Sequence, residues 1–90
     1  MTLEEYRAQI DEVDHALVDL FQRRMKIAAG IADYKQQHGL PVLDAKRELE
    51  KLAALAALAE PEFTEYVGSL YETILRLSKD YQHALLEKTP

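Results

Sequence analysis

Apolar residues recur every three or four positions along the first third of the chain. This stripe consists of Leu3, Tyr6, Ile10, Val13, Leu17, Leu20, Ile27, Ile31 and Tyr34. Such spacing is typical of one face of an amphipathic α-helix. It predicts one long helix over residues 3–37, followed by a loop over residues 38–43 that begins with the helix-breaking segment His-Gly-Leu-Pro.

Two shorter helices are predicted after this loop. Asp44 is a good N-cap residue, and the Ala- and Leu-rich segment after it predicts a helix over residues 45–59, ended by Pro61. A second apolar stripe predicts a third helix over residues 62–87. It consists of Phe63, Val67, Leu70, Ile74, Leu77, Tyr81 and Leu85. Because good helix formers are also abundant and β-branched residues sparse, the expected fold class is all-α.

The length of the first helix predicts a partner chain. A helix of roughly 35 residues is about 50 Å long, whereas a compact domain of this size has a diameter of about 30 Å. The helix therefore overhangs a monomer, and its apolar stripe continues past what two shorter helices can cover. We expect a homodimer in which a second long helix packs alongside and the two chains share their cores.

Composition excludes several classes of protein. The 90 residues suffice for one small domain, and the absence of Cys excludes disulfides and thiolate metal sites. A net charge of −5 argues against general binding to nucleic acid. The N-terminus lacks the apolar core of a signal peptide, and the longest uncharged apolar run, residues 52–59, is too short to span a membrane. A cytoplasmic protein is expected, in which any anionic ligand is held by a local cluster of cations.

Cations interrupt the apolar face of the first helix. Arg24 occupies the position that continues the stripe after Leu20. Lys35 is rotated by only about 20° from Arg24 and lies about 16 Å further along the axis, so both could reach one small ligand. Arg7 is about 25 Å from Arg24 along the same axis. An antiparallel partner helix could bring Arg7 to the other chain's cations.

Polar residues of the other two helices extend this set. Arg47 stands where a capping box begun by Asp44 would place Glu or Gln, and Glu48 follows it. A cation in the first turn opposes the helix dipole and costs up to about 1 kcal/mol. Ser78 and Gln82 form an i, i+4 pair at the edge of the third helix's stripe.

The set contains no strong nucleophile. Cys and a Ser-His-Asp pattern are both missing, and His15, His38 and His83 show no metal or relay spacing. An enzyme with these residues would act by positioning and electrostatics. Its ligand would carry more than one carboxylate, a group that Arg binds through two parallel hydrogen bonds.

Each of these residues also has an ordinary structural interpretation. Arg24 could extend from the core to pair with an acid such as Asp14 or Asp33 on a neighbouring chain or helix. Asp44 would simply cap its helix. The remaining candidates would be solvated surface groups, namely Arg7, Lys35, Arg47, Glu48, Ser78 and Gln82. The combination of the residues, more than any one of them, indicates a site.

The same ordered set resembles that of the all-helical chorismate mutases over nearly the whole chain. The most specific segments are IDEVDHALVDLFQRR in the first helix, the Lys…Gly-Leu-Pro-Val-x-Asp-x-x-Arg-Glu passage, and the late Ser-x-x-x-Gln. The resemblance implies an intertwined homodimer with two equivalent active sites, each completed by a residue of the neighbouring chain. It also implies conversion of chorismate to prephenate, on the route to phenylalanine and tyrosine, without cofactor or metal.

The resemblance also implies catalytic roles for three residues. Lys35 and Gln82 would donate hydrogen bonds to the ether oxygen of chorismate. Arg24 would clamp a carboxylate or shape the charged pocket.

Further residues would bind the substrate by the same resemblance. Arg7 from the partner chain and Arg47 would contribute to the cationic pocket, and Ser78 would help to hold a carboxylate. Glu48 would accept a hydrogen bond from the ring hydroxyl, with the Asp44 backbone nearby.

Two other functions remain open from the sequence. Isochorismate-pyruvate lyases are similar in fold and share the arginines, the lysine and the late Gln, but they depart from the Asp-x-x-Arg-Glu pattern that this chain keeps. A non-catalytic helical dimerisation or regulatory module would leave the polar residues dispersed.

Leu43 departs from the family pattern, because many relatives carry a basic residue at this loop position, but no assigned role depends on it. A free-standing mutase is the expected form.

Overall fold

The structure, a computed structural model, describes residues 1–88. They form three α-helices, α1 (Leu3–Gln37), α2 (Ala45–Leu58) and α3 (Thr64–Glu87), with a short 3-10 helix at Pro61–Phe63. The expected all-α class with one long and two shorter helices is confirmed. The third α-helix begins two residues later than predicted, because a tighter turn forms first, in which the Phe63 N–H donates to the Glu60 carbonyl at 2.8 Å.

Local hydrogen bonds determine both ends of α1. The Thr2 hydroxyl accepts from the Glu5 N–H at 3.2 Å, and the Glu5 carboxylate accepts from the Thr2 N–H at 3.4 Å, which together make a capping box. At the other end, Gly39 adopts a left-handed φ of 65°. The Leu40 N–H then donates to the Lys35 carbonyl at 2.8 Å, as in a Schellman motif. The helix stops because glycine can adopt this conformation without strain.

The chain is elongated and thin. Its principal extents are 55 × 27 × 14 Å and its radius of gyration is 16.4 Å, against about 12 Å for a compact domain of this length. α3 packs against both α1 and α2. The first 20 residues are all exposed, so the N-terminal half of α1 extends beyond the other helices. Among residues 1–88, no helix combines the length and apolar character needed to cross a membrane.

The buried face of α1 differs from its apolar stripe. Its buried residues are Ala28 and Ala32, at 4% and 1% exposure, and neither belongs to the stripe. Stripe residues such as Leu17 and Ile27 remain 54% and 57% exposed. Small side chains occupy the buried positions because they allow helices to approach closely. The large apolar side chains of α1 have therefore not found their packing partners within the chain.

Candidate active site

A pocket of about 280 Å³ lies where the three helices meet, and we name it the cation pocket. One face of α1 forms its longest wall. The lining residues of α1 are Arg24, Ile27, Ala28, Ile31 and Lys35. Their spacing of three and four residues places them on one side of the helix. The cations stand at the two ends of this row, with apolar side chains between them.

The other walls follow the same rule of spacing. The start of α2 contributes Asp44, Arg47, Glu48 and Lys51. The second half of α3 contributes Leu75, Ser78, Lys79 and Gln82. Val42 completes the lining from the loop between α1 and α2. Each helix therefore contributes one face to the same pocket, although the three segments are separated along the chain.

The pocket has the opposite charge to the chain that contains it. Its lining includes five cationic side chains and two acidic ones, a formal charge of +3. The chain as a whole carries −5. A concave site with an excess of one sign of charge attracts ligands of the other sign, because its low-dielectric walls focus the field. The arrangement favours a small anion.

A hydrogen bond to the loop fixes the end of Lys35. Its ammonium donates to the Val42 carbonyl at 2.9 Å, and the bond is partly buried. Val42 itself is only 9% exposed. Lysine side chains are otherwise flexible, so this bond reduces the number of positions that the ammonium can take. One N–H is committed to the loop and the other two are available to a ligand.

The deepest polar groups in the pocket are Gln82 and Ser78. They are 7% and 6% exposed, and the Gln82 Nε2 donates to the Ser78 Oγ at 3.1 Å. Within residues 1–88, the buried Gln82 Oε1 has no hydrogen-bond partner. A half-turn of the amide would let the Ser78 hydroxyl donate to Oε1 and would turn Nε2 toward the pocket. The amide can therefore offer a ligand either a donor or an acceptor.

The first turn of α2 explains the placement of Arg47. Asp44 caps the helix through its Oδ1, which accepts from the Arg47 backbone N–H at 3.1 Å. The cap uses only the backbone of Arg47, so the guanidinium is available to the pocket. Glu48 bonds across to α3, where the Lys79 ammonium lies 3.1 Å from Oε1 and 3.2 Å from Oε2. This partly buried ion pair joins α2 to α3 inside the site.

Seven of the eight residues predicted from the sequence line the cation pocket. They are Arg24, Lys35, Asp44, Arg47, Glu48, Ser78 and Gln82. Arg24 takes part in none of the three ion pairs within residues 1–88, so it does not pair there with Asp14 or Asp33. Arg7 lies outside the pocket and is exposed near the other end of α1.

Sequence reasoning missed Lys51 and Lys79, which both line the pocket. Their spacing was an available signal. Lys51 lies four residues after Arg47, and Lys79 lies three before Gln82, which are the separations of residues that share a helix face. Lysines are common on the exposed faces of helices. The three- and four-residue spacing therefore identifies these two as pocket residues only after the side of each helix that faces the pocket is known.

The fold and the pocket together define an all-α protein with a cation-rich pocket between three helices. Residues 6–83 match the family model described as chorismate mutase type II, and the chain belongs to this family. The family expected from the sequence is confirmed.

Three relatives illustrate the range of the similarity. The chorismate mutase of Methanocaldococcus jannaschii is 30% identical over 97% of this chain and 90% of its own length. The 4-amino-4-deoxychorismate mutase of Streptomyces venezuelae is 33% identical over 81% of this chain and 73% of its own length. The T-protein of Haemophilus influenzae is 34% identical over 82% of this chain, which spans only 19% of that longer relative.

A solved structure extends the similarity to three dimensions. The crystal structure of a chorismate mutase from Helicobacter pylori, in complex with prephenate, superposes with a TM-score of 0.87. The two chains are 32% identical, and the match covers 98% of this chain and 97% of the other. The helical arrangement is therefore shared along almost the entire length.

Proposed function

We propose that this protein converts chorismate to prephenate, a step toward phenylalanine and tyrosine. The observation that carries the proposal is the convergence of Arg24, Lys35, Arg47 and Gln82, from three helices, on one pocket in a member of the chorismate mutase family. Chorismate is a dianion with two carboxylates. A pocket with a formal charge of +3 complements it.

The chemistry suits a site without a nucleophile. Chorismate rearranges by a concerted [3,3] shift, in which the ether C–O bond breaks while a C–C bond forms within the same molecule. The reaction requires no proton transfer, covalent intermediate, metal or cofactor. An enzyme accelerates it by holding the enolpyruvyl arm folded over the ring and by stabilising the negative charge that develops on the ether oxygen.

Lys35 and Gln82 are the proposed donors to that oxygen, and Arg24 lines the same pocket from the other end of the α1 row. The hydrogen bond to Val42 holds the Lys35 ammonium in place before substrate arrives. The Gln82 amide is buried and stays neutral at any ordinary pH. The half-turn that lets Ser78 donate to Oε1 turns the Gln82 Nε2 toward the pocket as a donor. Losing one donor to a developing oxyanion typically lowers the rate by about 10²–10³-fold.

The remaining lining residues would bind and orient the substrate. Arg47 and Ser78 would hold carboxylates, as Arg24 also could, because guanidinium and hydroxyl groups are good donors to them. Glu48 would accept a hydrogen bond from the ring hydroxyl, near the backbone of Asp44. The ring itself would lie against apolar residues of the α1 wall.

A homodimer with shared sites is the proposed assembly. The chain exposes 7350 Å², whereas a compact monomer of 10.3 kDa would expose roughly 5,400 Å². The excess, about 2,000 Å², is in the range of obligate interfaces. An antiparallel, intertwined partner would cover the exposed α1 stripe and bring the partner subunit's Arg7 to the cation pocket. A cytoplasmic location stays a prediction.

The amino analogue of chorismate is the alternative substrate to consider, because a relative carries the name 4-amino-4-deoxychorismate mutase. This analogue replaces the ring hydroxyl by an amine, which is protonated near neutral pH. Two carboxylates and one ammonium leave it with a net charge of −1. The pocket's charge of +3 complements chorismate, at −2, better.

The decisive experiment is a chorismate assay with the purified protein and a metal chelator present. We expect chorismate to be consumed and prephenate to form. Lys35→Ala should lower kcat by about 100-fold or more without loss of helicity. Lys46→Ala is the matched control, because the Lys46 side chain is 88% exposed outside the pocket. Unchanged chorismate would refute the function, and salicylate formed from isochorismate would indicate the lyase instead.

Mixed dimers test whether the partner chain contributes Arg7. Two inactive variants, Arg7→Ala and Lys35→Ala, are unfolded together and refolded. If each site combines Arg7 from one chain with Lys35 from the other, random pairing restores about a quarter of the sites. Lys35→Ala mixed with Gln82→Leu is the control, because both of those residues lie in one chain's pocket and no site becomes intact. Absence of restoration in the first mixture would refute the shared site.

A further inference from the structure

The ion pair between Glu48 and Lys79 suggests how the site selects its substrate. Lys79 contacts both oxygens of the Glu48 carboxylate, at 3.1 and 3.2 Å. The two side chains are 31% and 25% exposed, so water screens the pair only in part. Glu48 therefore faces the pocket as a carboxylate whose charge is already balanced.

We propose that Lys79 is a specificity-determining residue, which makes Glu48 favour a ring hydroxyl over a ring ammonium. The inference rests on the proposed function, since it assumes that chorismate binds with its ring hydroxyl at Glu48. Lys79 acts through Glu48 as a positioning residue and is assigned no contact with the reacting atoms.

Hydrogen-bond geometry favours the hydroxyl. A carboxylate has about four lone-pair positions, so an oxygen that accepts from Lys79 can accept once more. A neutral hydroxyl uses such a position without bringing a charge. A ring ammonium at the same oxygen would lie about 4–5 Å from the Lys79 ammonium, because each nitrogen sits about 3 Å from the carboxylate.

Electrostatics determines which substrate is disfavoured. Two like charges at that separation repel, and the repulsion weakens binding of the amino analogue by about tenfold or more in a partly buried site. Removal of the Lys79 charge would leave Glu48 unbalanced and able to pair with the ring ammonium. The same removal lowers the positive charge of the pocket, which disfavours the dianion chorismate. Both effects shift preference toward the amino analogue.

The ordinary interpretation of Lys79 is structural, since its ion pair joins α2 to α3. That interpretation predicts a lower thermal midpoint on substitution and equal losses with both substrates. A selective role predicts a change in the ratio of the two kcat/KM values. The ratio therefore separates the two interpretations.

The test compares chorismate with 4-amino-4-deoxychorismate as substrates of the full chain. We expect the parent protein to favour chorismate, and Lys79→Met to shift the kcat/KM ratio toward the amino analogue by about tenfold or more. Lys79→Arg, which keeps the charge, should retain the parent's preference. Lys51→Met, which removes another cation from the same pocket, should change the ratio far less.

Several outcomes would overturn the proposal. Equal kcat/KM values of the parent protein for the two substrates would overturn it, even if Lys79→Met failed to fold. An unchanged ratio in Lys79→Met, or an equal shift in Lys51→Met, would also do so. Inactivity of the parent toward chorismate would refute the proposed function instead. If the parent is inactive, its preference is measured by calorimetry, as the ratio of the dissociation constants of the two substrates. Lys79→Met should then shift this ratio toward the amino analogue by the same factor.

Discussion

Replacing Leu17 by Ala is expected to weaken the proposed dimer while leaving the helix intact. Leu17 lies near the middle of α1 on the apolar stripe, and it is 54% exposed in the chain. Leu and Ala are both strong helix formers, so the helical propensity of α1 is nearly unchanged. An effect of the substitution on stability would then report on packing against a partner chain.

The exposed fraction gives the size of the effect. Replacing a fully buried Leu by Ala costs about 2–5 kcal/mol. Roughly half of the Leu17 side chain remains to be buried by a partner, which corresponds to about 1–2.5 kcal/mol per chain. A two-fold dimer contains the residue twice, so the loss is about 2–5 kcal/mol per dimer. This free energy raises the dissociation constant by about 30-fold to several thousandfold.

Urea unfolding measures this loss. The transition is followed by far-UV circular dichroism at several protein concentrations, because the unfolding midpoint of a dimer rises with concentration whereas that of a monomer does not. Leu49→Ala is the control, since Leu49 is 70% exposed on α2 and lies outside the stripe. It should change the free energy of unfolding by about 0.5 kcal/mol or less. A concentration-independent midpoint, or equal effects of the two substitutions, would refute the reasoning.

Two further predictions concern the pocket and the loop. Gln82→Leu removes a proposed donor together with a buried oxygen that has no partner within residues 1–88. It should lower kcat by about 10²–10³-fold with little loss of thermal stability, and a kcat equal to the parent's would contradict the assigned role. Gly39→Ala places a side chain at a φ of 65° and should cost about 1–2 kcal/mol in urea unfolding. Gly68→Ala, in α3 with no atom within 4 Å of the added Cβ, should be neutral or stabilising, and equal losses at the two glycines would contradict the conformational argument.

The helices and their ends could be predicted because their causes are local. A three-and-four spacing, an Asp cap and a glycine before a proline act within one or two turns of the chain. The helix ends after Gln37 because Gly39 adopts a positive φ, which glycine can do without strain since it has no Cβ. The start of α3 was less well predicted, because a 3-10 turn and an α-helical turn differ only by one residue in hydrogen-bond spacing.

Most residues of the candidate site could be predicted from the ordered set of residues that resembles that of the chorismate mutases. That pattern identified Arg47 and Glu48 as a pair that projects from one helical turn, and both line the cation pocket. It did not indicate Lys79, whose contact with Glu48 joins residues 31 positions apart. No local rule reports such a contact, since it depends on how α2 and α3 pack.

The sequence by itself determined three helices, the Asp44 cap of α2 and the side of α1 that is apolar. The tertiary structure decided that Ala28 and Ala32, rather than that apolar stripe, are buried within the chain. It also decided that Lys35 bonds the Val42 carbonyl and that Lys79 balances Glu48. The physical reason is that periodicity identifies only which face of a helix is apolar. Only tertiary packing specifies which neighbouring helix covers each part of that face. It also specifies which charged residues, distant in the sequence, form ion pairs.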